Sequence, residues 1–77
     1  MSAAADRLTT ETAAEYLRLA LPLMSQQRVS TTPENYAVWY TYVSGANAEL
    51  NAEIDRLIAE KKPFTEAVCA RLYQEFV

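Results

Sequence analysis

Apolar residues recur at helical spacing in four separate stretches, each bounded by a cap or a breaker. The densest runs from Thr32 to Gly45 and holds four of the eight aromatic residues, including the only Trp. Thr32 is suited to cap a helix whose first position is Pro33, where the missing N–H costs nothing because that donor has no helical partner. Gly45 suits the left-handed residue that closes a helix. Between them Tyr36, Trp39, Tyr40 and Val43 fall at i, i+3, i+4 and i+7 and share one face. Val38 and Tyr42 widen it, leaving Glu34, Ala37, Thr41 and Ser44 as a narrow, mostly polar stripe. A helix apolar around most of its circumference is surrounded by other elements, so this segment is expected at the centre of a small bundle.

Upstream, Thr12-Ala13-Ala14-Glu15 matches the reciprocal cap in which a Thr hydroxyl and a Glu carboxylate each satisfy a free N–H. The pattern predicts a helix over roughly 13–26, with residues 1–11 as a flexible leader. Ala13, Leu17, Ala20, Leu21 and Met24 make one stripe, extended by Tyr16, Leu19 and Leu23. Glu11, Glu15, Arg18, Pro22 and Ser25 fall opposite. Pro22 removes a ladder bond and either kinks the helix or splits it near Ala20-Leu21. Periodicity that continues past the proline favours a single bent helix. The polar link from Gln26 to Thr31 is short enough to make the first two helices neighbours.

Downstream, Asn47 is placed to cap a third helix carrying Leu50, Ile54, Leu57 and Ile58, and Pro63 stops it. Glu49 and Glu53 lie near its start and Arg56, Lys61 and Lys62 near its end, as the helix dipole favours. Thr65 then caps a fourth helix with Val68, Cys69, Leu72, Tyr73 and Phe76. The predicted fold is all-α, a small four-helix bundle-like domain over 12–77. No stop signal follows Phe76-Val77, so the chain is expected to be a piece of a longer multidomain protein.

Composition narrows the function classes. Seventy-seven residues, 51% hydrophobic with one Gly, describe a single globular helical domain. The formal net charge is −3 and the seven basic residues are scattered. Duplex binding needs a concentrated positive face, so nucleic acid is not an expected partner. Cys69 is alone and there is no His, which excludes an internal disulfide and every Ser-His or Cys-His nucleophile, and leans toward a reducing cytoplasm. No export signal opens the chain, and no run reaches the ~18 apolar residues a membrane span requires.

Tyr36, Trp39 and Tyr40 are candidates for the core or for the wall of a pocket, with core packing the favoured reading. Tyr42, Tyr73 and Phe76 are candidates for a contact surface, where aromatic residues are enriched. Cys69 sits among apolar positions and reads as a small core residue rather than a reactive thiol. Glu49, Glu53, Asp55 and Glu60 read as a solvated helix face, not a metal site. A single glycine excludes Gly-rich phosphate loops. No catalytic, cofactor-binding or metal residue is expected.

Beyond these patterns, the chain resembles the helical N-terminal regulatory region found ahead of the catalytic domain in bacterial GGDEF-type diguanylate cyclases. The likeness runs through Ala20-Leu21-Pro22-Leu23-Met24, then Thr32-Pro33-Glu34-Asn35-Tyr36-Ala37-Val38-Trp39-Tyr40, Tyr42 and Gly45. It continues in Leu50-Asn51, Ile54-Asp55 and Pro63-Phe64-Thr65-Glu66, with Cys69, Leu72 and Tyr73. The resemblance implies a cytoplasmic parent enzyme that condenses two GTP molecules into cyclic di-GMP with Mg²⁺, two catalytic domains facing one another. The Gly-Gly-Asp-Glu-Phe and Gly-Gly-Glu-Glu-Phe signatures are absent here, as is the Arg-x-x-Asp feedback motif. Mg²⁺ and GTP therefore attach to a catalytic domain outside this sequence. What carries over is a regulatory or dimer-forming role, with a second copy or the attached catalytic domain as partner. Two other readings stand beside it: a helical module that binds a protein or small ligand through its aromatic face, and a purely structural helical domain.

Overall fold

A computed structural model of the chain describes the backbone from Ala3 to Val77 and side chains from Thr10 onward. Four helices follow in order: α1 (Ala3–Gln26), α2 (Pro33–Ser44), α3 (Ala48–Ala59) and α4 (Glu66–Phe76), with no strand among the described residues.

The punctuation of α2 follows its residues. The Thr32 hydroxyl accepts the Asn35 N–H at 3.2 Å, Pro33 opens the helix, and Gly45 closes it in the left-handed region at φ 70°, donating its N–H to the Tyr42 carbonyl. Asn47 and Thr65 cap α3 and α4 in the same way, accepting from Leu50 and Val68. A cap of this kind stabilises by about 1 kcal/mol.

The start of α1 departs from the expected boundary. The backbone is already helical from Ala3, so Thr12 and Glu15 sit inside the helix and do not form its cap. Of the expected leader over 1–11, Met1 and Ser2 lie outside the described residues, and the backbone of 3–11 is helical. Nothing there punctuates the chain: Ala, Arg, Leu and Glu are strong helix formers and no Gly or Pro intervenes. The helix also continues through Pro22, which excludes two separate helices. That proline is exposed, so the Arg18 carbonyl deprived of its donor opens toward solvent.

Two helices close on a left-handed residue other than glycine. Arg28 after α1 and Lys61 after α3 both adopt left-handed φ, 58° and 57°. In each case the following N–H reaches back to close the turn, Val29 to the Met24 carbonyl at 2.8 Å and Lys62 to the Leu57 carbonyl at 2.9 Å. Val29 and Met24 are both buried, so the apolar contact that accompanies such a cap carries the strain of a non-glycine residue there. The link between α1 and α2 is thus not wholly polar.

The core gathers Met24, Val38, Trp39, Leu50, Ile54 and Leu72, each less than 2% exposed, with Phe64 and Cys69 at its edge. Among the described residues, α2 alone of the helices touches all three others, while α1 meets only α2. The central place expected for the Trp-bearing segment is the observed one. The broad apolar face expected on α1 is covered only in part: Ala20 and Met24 are buried, whereas Leu17, Leu19 and Leu21 are 41%, 50% and 40% exposed. One neighbouring helix shields one stripe of a cylinder, and α1 has one neighbour.

Candidate functional site

The aromatic residues of α2 are used in three ways. Trp39 is 1% exposed, its ring meeting Tyr42 and Phe64 edge-on at centroid distances of 5.4 and 5.2 Å. Such contacts stabilise by about 1 kcal/mol each beyond the area they bury. Phe64 comes from the α3–α4 connection and has no periodic neighbour to announce it. Tyr40 lies against Tyr16 of α1 at 5.4 Å and against Tyr36 at 5.8 Å, so these half-buried rings form the seam between α1 and α2.

The three candidate contact residues differ in environment. Tyr42 is half-buried and its hydroxyl donates to the Asp55 carboxylate at 2.6 Å, bracing α2 against α3. That hydrogen bond, with burial and the carboxylate charge, pushes the phenol up to about 12. The Tyr42 carbonyl accepts from the Asn51 amide at 3.0 Å. Phe76 is half-buried against the core, and its carbonyl accepts from the Asn47 side chain at 3.4 Å. Tyr73 stands 37% exposed on α4.

Of two clefts on the surface of the described residues, neither is lined by Tyr36, Trp39 or Tyr40. The larger, about 620 Å³, lies between the start of α2 and α4, with Thr32, Pro33, Glu34, Cys69, Ala70 and Tyr73 in its wall. The smaller, about 450 Å³, lies under the α3–α4 connection beside Gln26, Arg28, Lys61 and Phe64. Cys69 is buried and its thiol donates to the Phe64 carbonyl at 3.7 Å. Burial, aided by the Glu66 charge, pushes the thiol above its ordinary range, so it is protonated and a poor nucleophile at neutral pH. Among the described residues, no group of three or more His, Cys, Asp or Glu is placed to hold a metal ion. No described helix is long and apolar enough to cross a membrane.

Of the acidic face expected to be solvated, Glu49, Asp55 and Glu60 are exposed, and Glu53 alone departs from it. Its side chain is 19% exposed and takes two hydrogen bonds from Arg56, at 3.0 and 2.8 Å, and one from Arg71 of α4 at 2.8 Å. Helix spacing reveals the Glu53–Arg56 pair, but the approach of Arg71 depends on how α4 crosses α3, which no local pattern contains. Donation from Arg56 and then Arg71 draws the Glu53 carboxyl down from 4.5 to about 2. A carboxyl held low in the folded state stabilises fully above its unfolded value, and the stabilisation is lost as pH falls through the folded one. The window is therefore from 4.5 down to about 2. Urea melts at about pH 6 and about pH 3 should show wild type losing more of its midpoint than Glu53→Gln. Equal losses would show that the three-way contact does not couple to folding.

The chain is 41% identical over 61 residues to the diguanylate cyclase VdcA of Vibrio cholerae, a match covering 79% of this chain and 18% of that protein. The chain thus spans about a fifth of the length of the curated relative it matches. No protein-family profile matches the sequence, and no solved structure does. Most of this chain is therefore related to a region of a diguanylate cyclase.

Proposed function

We propose that the chain is a non-catalytic regulatory and dimer-forming module of a diguanylate cyclase, acting in the cytoplasm on the enzyme to which it is joined. The parent enzyme, on this proposal, condenses two GTP molecules into cyclic di-GMP with Mg²⁺ in a catalytic domain outside this sequence. The observation that carries it is the 41% identity to VdcA over 61 residues, combined with the lack of a cyclase signature in these 77 residues. Joining two GTP molecules requires two catalytic domains to meet face to face. A module that pairs raises the effective concentration of one domain near the other, and so sets the rate without touching substrate.

The surface supports pairing better than ligand capture. Trp39 is spent on the core, and Tyr42 is engaged with Asp55. Three exposed leucines on α1 remain as apolar area of the kind found at protein contacts. Sedimentation of the chain across a concentration series is expected to show a reversible monomer–dimer equilibrium. A single monomeric species at every concentration would overturn the pairing role.

A further inference from the structure

Helix α1 carries two apolar stripes, and the bundle covers one of them. Tyr16, Ala20 and Met24 face inward, with Tyr16 against Tyr40 and the other two buried. Beside that stripe Thr10, Ala14, Leu17 and Leu21 recur at intervals of four, three and four. This is the spacing at which one helix runs alongside another. Leu17 and Leu21 stand about two-fifths exposed in the folded chain. At 100° per residue the seam is flanked on one side by Ala13 and Ala20, toward α2, and on the other by Glu11 and Arg18. Among the described residues Arg18 is held only by Glu15, at 3.6 Å, with both side chains more than half exposed, a contact that costs little to exchange.

The charges select both the occupant and its direction. When a second copy is laid antiparallel on this seam, Ala14 faces Leu17 of the other copy and Thr10 faces Leu21, small against large in each layer. The same register sets Glu11 of each copy beside Arg18 of the other, so the two-fold axis makes the opposite-charge pair twice. Among the described side chains, a parallel arrangement sets Arg18 against Ala13 or Ala20 of the second copy, and no opposite charges meet. We infer that α1 is the pairing surface: two copies associate antiparallel through Thr10, Ala14, Leu17 and Leu21, with Glu11–Arg18 pairs at the rim. This rests on the pairing role proposed above and assigns it a surface and an orientation. The seam extends over about 17 Å of helix, a few residues a side against the roughly 20–30 of a standard interface. The pair is therefore weak, with dissociation on the order of 0.1 mM.

Sedimentation of the 77-residue chain tests it, from about tenfold below to about tenfold above that concentration. Wild type is expected to dimerise, and the double variant Leu17→Glu with Leu21→Glu to dissociate at least about tenfold more readily. Arg18→Glu and Glu11→Arg are each expected to weaken the dimer about threefold, and the two together to restore it. Unchanged far-ultraviolet dichroism and Trp39 emission establish that the variants fold. If the leucine variant does not fold, the charge swaps at the exposed Glu11 and Arg18 carry the test alone. A wild-type monomer throughout overturns both the pairing role and this surface. A wild-type dimer that ignores the leucine and charge variants overturns this surface alone. A double swap as weak as both single swaps together overturns the antiparallel register.

Discussion

Trp39→Ala is expected to remove a large share of the chain's stability at 25 °C. The indole is the largest fully buried side chain, 1% exposed and wedged between Tyr42 and Phe64. Removing a buried Trp costs about 3–5 kcal/mol, from lost transfer energy and from the cavity left behind. A domain of this size has a total stability of about 4–12 kcal/mol. Thermal melts followed by dichroism should therefore show a fall of about 15 °C or more, at about 4–8 °C per kcal/mol. Trp39→Phe keeps part of the ring and should fall roughly half as far. A melt for the alanine variant within a few degrees of wild type would mean that the core is not built around this ring.

The second large effect is expected at Leu72. It is completely buried, and α4 is held in the bundle chiefly by α2. Leu72→Ala should cost about 2–5 kcal/mol, with α4 loosened before the rest. The adjacent position supplies the control. Tyr73 is exposed on the same helix, and Tyr73→Ala should change stability by no more than about 1 kcal/mol. Guanidinium midpoints of the two variants measure the contrast. Similar losses at both positions would mean that the inward face of α4 has been assigned wrongly.

What could be read from the residues, and what could not, divides by the range of the physics. The ends of α2 are legible because Thr32, Pro33 and Gly45 each act on their own backbone. Its central place is legible because Tyr36, Val38, Trp39, Tyr40 and Tyr42 leave almost no polar arc. The start of α1 is not legible from Thr12 and Glu15, because a capping pattern inside a longer helix looks the same as one at its end. Exposure of Leu17, Leu19 and Leu21 is hidden for another reason. Periodicity reports which side of a helix is apolar, not how much of that side a neighbour covers. The cross-helix partners Tyr42–Asp55 and Glu53–Arg71 lie 13 and 18 residues apart, and only the crossing of the helices brings them together. Phe64 was hidden in a connection where no repeat exists to flag it. The resemblance to diguanylate cyclases came from ordered motifs such as Pro33-Glu34-Asn35-Tyr36-Ala37-Val38-Trp39-Tyr40, and the match to VdcA supports it at that level.

Because, among the described residues, α1 meets the other helices only through α2, the bundle is not uniformly knit. Swinging α1 outward would break the seam lined by Tyr16, Tyr36 and Tyr40 and would also uncover the core where Ala20 and Met24 are buried. The indole's ring contacts lie on α2 itself and on the α3–α4 connection, so they survive that motion. Losing the first helix would thus open the shared core at one wall, while the indole keeps its ring neighbours.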